Sequence, residues 1–294
     1  MASPPSLAGA IAASPRERPR DQELDLYGLT HPGLVREENQ DHFLLATVHP
    51  QVVIHGTSLP DPGRLPTRGE RVATLMLVAD GVGGGADGGQ ASKLAVESVM
   101  RYVSSTMRCC HAAVSGSDAE LFASLVEAAG KAHAAVQAEA ESRQQGVMAT
   151  TLTLAVAVWP AAFVVQVGDS RCYFYSGGQL RQVTRDQTVA QDLVDMGVLP
   201  PTQAAASPYR HVLARAIGAD EATPEVHRLD ISERGSVLLL CSDGLTKHVA
   251  DEEIAGHVRV MQSSEQLCRS LVELALARGG TDNVTVIAGR AVRA

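Results

Sequence analysis

Aromatic residues are scarce: Phe, Tyr and Trp make up 3% of the 294-residue chain. A core must therefore rest on Ala, Val and Leu, and platforms for stacking nucleotide bases are too few for a single-strand binder. Positive charge is also in deficit. The 25 Lys and Arg against 33 Asp and Glu leave a net charge of −8, the opposite of the basic field of a nucleic-acid binder. No apolar stretch is long enough to span a bilayer, so neither nucleic acid nor membrane is expected as a partner. Residues 6–13 are mildly apolar but lack a basic segment before them, which argues against a signal peptide. The five cysteines (Cys109, Cys110, Cys172, Cys241 and Cys268) are odd in number and include no Cys-x-x-Cys pair. That argues against a disulfide framework or a zinc site and points to a reducing cytoplasm.

What the chain does have is a repeated design. The apolar run Leu75-Met76-Leu77-Val78-Ala79 stops at Asp80, followed by Gly81 and a glycine-rich stretch to Gly89. Such a run suits a buried strand, and glycines let a ligand approach the backbone. Val237 to Cys241 leads likewise into Ser242-Asp243-Gly244, and Phe163 to Val167 into Gly168-Asp169. Asp282 stands just before the β-type run that begins at Val284. Strands that repeatedly end in aspartate imply carboxylates converging at one rim of a sheet structure. Such a cluster repels itself unless cations fill it, and carboxylates beside bare backbone carbonyls suit a hard divalent cation. Each Asp-Gly alone is equally a turn signal. A phosphate-cradling nucleotide loop is the other reading of Gly81 to Gly89, but no Gly-Lys-Ser/Thr follows.

Residues 1–22, rich in Ala, Pro, Ser and Arg, read as a disordered leader, and 23–294 as a single domain. A strand and turn are expected over 24–33, a polar cluster running into a strand over 35–45, and strands over 150–159, 161–167, 171–175, 179–183, 225–229, 236–241 and 284–289. Helices are expected over 90–110, 118–144, 189–196, 251–261 and 265–278. His133 falls near the apolar stripe of the second helix, where packing rather than ligation is expected. Residues 51–71 read as an irregular excursion and 197–209 as a flap; both are candidates to shape substrate choice. Strands, two helices, strands, two helices and a last strand give an α+β sandwich rather than a doubly wound fold.

The ordered set Arg36-x-x-Asn39-Gln40-Asp41, Asp80-Gly81-x-Gly83-Gly84, Gly146-x-x-x-Thr150-Thr151, Val167-Gly168-Asp169-Ser170-Arg171, Thr184-x-Asp186, Cys241-Ser242-Asp243-Gly244-Leu245 and Thr281-Asp282-Asn283-Val284-Thr285 resembles the bacterial metal-dependent serine/threonine phosphatases of type 2C. It covers about residues 24–290. The resemblance implies a four-layer α-β-β-α sandwich, two antiparallel sheets flanked by helices. It implies hydrolysis of phosphoserine and phosphothreonine on proteins, the products of a serine/threonine kinase, by a metal-bridging hydroxide. By position, Asp80 would bridge two Mn²⁺ or Mg²⁺ ions, and Gly81 would offer its carbonyl. Asp243 and Asp282 would be direct ligands, and Asp41 would act through water. Asp169 with Asp243 matches a third, weaker site. Arg36 matches the arginine that binds substrate phosphate, so Arg36, Asp80 and Asp243 are the candidate catalytic residues. The cysteines lack the Cys-x5-Arg spacing of thiol-based phosphatases.

Four positions depart from the family pattern. Gln40 stands where many members have Glu, and Gly85 where bacterial members have His. Val82 stands where animal enzymes place a His tied to general-acid work, and Gln187 where His is usual. Every primary ligand is kept. An active phosphatase is therefore the leading expectation, a pseudophosphatase that binds phosphoproteins is the alternative, and a small-molecule phosphatase the third.

Overall fold

The computed structural model describes residues 17–83, 86–105, 117–144, 148–204 and 206–292. Gly85, Cys109 and Cys110 lie outside them, as do residues 1–16 of the expected leader. Residues 17–22 are held against the sandwich: Arg71 donates to the Pro19 carbonyl at 2.7 Å and pairs with Asp21 at 2.6 Å.

Among the described residues, ten strands form two five-stranded sheets, antiparallel throughout. One sheet runs β1 (Leu24–His31), β12 (Val284–Ala291), β11 (Val237–Cys241), β8 (Arg171–Ser176), β9 (Gln179–Gln182). The other runs β10 (Glu225–Asp230), β7 (Ala161–Val167), β6 (Leu152–Val158), β3 (Ala73–Ala79), β2 (His42–Val48). A short pair, β4 (Gly81–Val82) and β5 (Ala149–Thr150), sits beyond the end of β3.

The period-2 alternation of a strand sorts these residues into layers. Met76 and Val78 of β3 face Leu238 and Leu240 of β11 between the sheets, together with Val164, Cys172, Phe174 and Ile287. Leu75 and Leu77 point the other way, onto α1 (Ala86–Ser105) and α2 (Asp118–Arg143). Leu239 and Cys241 point onto α6 (Asp251–Val260) and α7 (Ser264–Ala277). The two inner strands thus bury both faces, which is why they read as continuous apolar runs without alternation. The result is the expected α-β-β-α sandwich. With few aromatics, α1 packs on α2 through residues such as Ala91, Ala95, Leu125 and Ala129.

Three smaller helices complete the described chain: α3 (Val189–Asp195), α4 (Pro201–Ala204) and α5 (Asp243–Thr246). The 197–209 segment, read as a flap, contains α4. Helix α1 begins at Ala86, earlier than its apolar periodicity predicts, and takes in Gly88 and Gly89. A Cβ on Gly88 would stand 3.0 Å from the Gly81 backbone and 2.7 Å from the Gln40 side chain. The glycines thus serve close helix-to-strand packing. His133 packs as expected, accepting a bond from the Gly218 N–H at 3.0 Å.

Candidate metal centre and active site

Antiparallel register brings the aspartates to one end. Strand β2 starts where β3 finishes, with His42 opposite Ala79, so Asp41 and Asp80 are neighbours. Likewise Cys241 lies opposite Val286, so the ends that carry Asp243 and Asp282 meet. Asp169 follows β7 at the same edge, and all but Asp41 line one connected cleft. Asp41 ties the two sheets together there: its Oδ2 accepts from Ser242 Oγ and from Thr285 Oγ1, both at 2.7 Å. Its Oδ1 is buried with no hydrogen-bond donor.

Two adjoining threonines fix the end of β3. The Asp80 N–H donates to Thr151 Oγ1 at 3.0 Å, and the Asp80 carbonyl accepts from Thr150 Oγ1 at 2.8 Å and from the Thr151 N–H at 2.9 Å. Thr151 Oγ1 is also 2.8 Å from Ser170 Oγ, linking Asp80 to the Asp169 turn. That turn is pinned by Gln187, whose Oε1 accepts from the Gly168 N–H at 2.8 Å. The residue that departs from the family pattern here thus holds the backbone just before Asp169. Asn283 does the same for Asp41's strand, accepting from the Gln40 N–H at 2.8 Å and donating to the Pro32 and Glu38 carbonyls.

Burial, and then repulsion among the carboxylates, lifts the acids of this cluster. Asp41 is pushed up to about 6 and Asp169 to about 8, and Asp80 lies well above the usual carboxylate range. Asp282 goes the other way. Burial opposes its charge, but Arg36 and Lys247 outweigh it and hold its carboxyl low. Arg36 forks onto it, Nε to Oδ1 at 2.8 Å and Nη2 to Oδ2 at 3.1 Å. Lys247 Nζ lies 2.6 Å from Asp282 Oδ2 and 2.6 Å from Asp243 Oδ2. Burial disfavours the Lys247 ammonium, yet the two carboxylates keep it above the ordinary lysine range.

Among the described residues, no three or more Asp, Glu, His or Cys side chains are grouped closely enough to hold a metal ion as they stand. The donor set nevertheless fits a hard dication. It is all oxygen, it includes an orphaned buried carboxylate oxygen on Asp41, and its carboxylates repel one another. Asp41, Asp80, Gly81, Asp169, Asp243 and Asp282, the ligand candidates named from sequence, all lie at this edge. Arg36 is 54% exposed at the rim but is engaged by Asp282.

A wider cleft of about 810 Å³ opens from this cluster, lined among others by Arg36, Asp169, Arg171, Arg210, His211 and Lys247. Arg171 pairs with Asp186 at 2.7 Å across its floor. Sequence reasoning missed Lys247 and His211. A signal for Lys247 was present: it follows Asp243 by four residues, the spacing that puts two side chains on one helical face.

Comparison with known proteins agrees with this geometry. The family model described as protein phosphatase 2C matches residues 65–277. The serine/threonine protein phosphatase PstP of Mycobacterium tuberculosis is 37% identical over 217 residues, 73% of this chain. The match spans only 40% of that relative's length. The serine/threonine phosphatase stp of Listeria monocytogenes is 30% identical over 214 residues, 72% of this chain and 82% of the relative. A crystal structure of the PstP catalytic domain in complex with two manganese ions superposes with a TM-score of 0.71 at 31% identity, covering 92% of this chain and 99% of that one. With half of its length or more matched by the family model, the chain belongs to the protein phosphatase 2C family.

Proposed function

We propose that residues 23–294 form a single catalytic domain that hydrolyses phosphoserine and phosphothreonine esters on proteins, using Mn²⁺ or Mg²⁺. The carrying observation is the cluster of desolvated, mutually repelling carboxylates Asp41, Asp80 and Asp169 beside Asp243 and Asp282 at the rim of a polar cleft. Asp80, the Gly81 carbonyl, Asp243 and Asp282 would hold two cations, with Asp41 acting through water. Asp169 and Asp243 would hold a third. Bound there, dications lower the pKa of a water molecule and offset the charge that develops on the phosphoryl oxygens.

The chain's own residues do the rest. The planar fork of Arg36 matches two oxygens of a phosphate dianion and would orient it for in-line attack. Ser242 and Thr285 fix the Asp41 carboxylate through its Oδ2. Thr150 and Thr151 hold the Asp80 backbone in place, so that little reorganisation is needed at the moment of reaction. A pseudophosphatase is the weaker reading, because every proposed ligand position keeps its carboxylate. The partners in this proposal are proteins phosphorylated by a serine/threonine kinase. No helix among the described residues is long and apolar enough to cross a membrane. The buried thiols Cys172, Cys241 and Cys268 support a cytoplasmic setting.

The test is substitution of the ligands. Asp80→Asn and Asp282→Asn should each abolish Mn²⁺-dependent hydrolysis of a phosphothreonine peptide while circular dichroism stays that of the wild type. Undiminished turnover in either variant would sink the assignment.

A further inference from the structure

We propose that Lys247 is a tethered competitor for the cation held by Asp243 and Asp282, setting the affinity of that position below what its carboxylates alone would give. The inference rests on the reading of Asp243 and Asp282 as cation ligands. Lys247 caps the C-terminal end of α5, and its N–H donates to the Asp243 carbonyl at 2.8 Å. The four-residue spacing places its side chain on the Asp243 side, and its ammonium reaches Oδ2 of Asp243 and Oδ2 of Asp282, each at 2.6 Å.

A dication bound by these two carboxylates would sit 2.0–2.6 Å from the same oxygens. An ammonium and a dication cannot share that space, since like charges at such separation repel strongly in a partly desolvated site. Cation entry must therefore expel Lys247 toward the open cleft that it also lines. It must also loosen the Arg36 fork, which occupies both oxygens of Asp282. Binding the cation thus frees two positive side chains beside the place where a phosphate would sit.

Direct measurement of Mn²⁺ binding by calorimetry tests this without turnover. Lys247→Met should bind Mn²⁺ at least about tenfold more tightly, because two charge-assisted contacts no longer have to be broken first. Lys247→Arg, which keeps the charge, should stay close to the wild type. Arg210→Met removes a cation from the same cleft whose guanidinium bonds the Ser207 carbonyl instead, and should change Mn²⁺ affinity far less. Thermal melts give a second readout: Lys247→Met should melt below the wild type in EDTA, and saturating Mn²⁺ should close that gap. Equal or weaker Mn²⁺ binding by Lys247→Met overturns the inference, as does an equal gain in Arg210→Met, which would reveal only a general field. Mn²⁺ binding that survives in Asp282→Asn at wild-type affinity overturns the ligand reading itself.

Discussion

A methyl group added at Gly168 would strike the residue that positions Asp80. Gly168 has φ +104°, and a Cβ there would lie 2.6 Å from Thr151 Cγ2 and 2.8 Å from Thr151 Cβ. Carbon atoms prefer about 3.5–4.0 Å, so the overlap approaches ~1 Å. Thr151 has no easy escape: it is buried, and its Oγ1 is held between the Asp80 N–H at 3.0 Å and Ser170 Oγ at 2.8 Å. Left-handed backbone costs an alanine on the order of 1–3 kcal/mol. Overpacking a tight site adds roughly 1–3 kcal/mol. Gly168→Ala should therefore lose about 2–6 kcal/mol, or a Tm fall of about 4–24 °C at roughly 2–4 °C per kcal/mol. Gly178→Ala is the control. Its φ is +80° in the β8–β9 hairpin but nothing lies within 4 Å, so it should pay the backbone cost alone. The assay is differential scanning calorimetry of both variants, with Mn²⁺ binding measured beside it. Gly168→Ala with the same Tm as Gly178→Ala and unaltered Mn²⁺ affinity would refute the packing argument.

Other consequences follow from the carboxylates. Asp41→Asn removes a buried charge, while its amide can still accept from Ser242 and Thr285 and can donate to Asp80. In EDTA at pH 8 it should be more stable than the wild type by on the order of 1–3 kcal/mol, and should bind Mn²⁺ more weakly; urea titration and calorimetry check both. Stability of the EDTA-treated wild type should fall as pH rises. Burial first, then charge repulsion, holds Asp41 to about 6 and Asp169 to about 8, above the unfolded value of about 3.9. Across that window the folded chain keeps protons that the unfolded chain has released, so stability is greatest near pH 4 and is lost from about pH 4 to about 8, most steeply below about 6 where both acids contribute. Mn²⁺ uptake should release protons and tighten over the same range, which potentiometry would detect; a flat profile contradicts the cluster's electrostatics.

Much of this was legible in the sequence because the inner strands are buried on both faces. Leu75 to Ala79 and Val237 to Cys241 could be nothing but apolar, and the first polar residue after each had to be at the rim. Antiparallel pairing then forced Asp41 beside Asp80 and Asp282 beside Asp243. The glycines were less transparent. Gly81 and Gly88 are demanded by the approach of α1 to β4, a tertiary contact with no local signature. Gln187 looked like a mere departure from a family pattern, whereas its side chain clamps the Gly168 turn from 19 positions away. Lys247 escaped notice although it follows Asp243 by four residues; its second partner, Asp282, is 35 residues distant and joined to it only by folding.

The most direct measurement is hydrolysis of a phosphothreonine peptide by the wild type with Mn²⁺ and again with excess EDTA. The carboxylate cluster predicts turnover that requires Mn²⁺ and is lost on chelation. Turnover that persists undiminished in EDTA, or none in a folded protein saturated with Mn²⁺, would contradict the account.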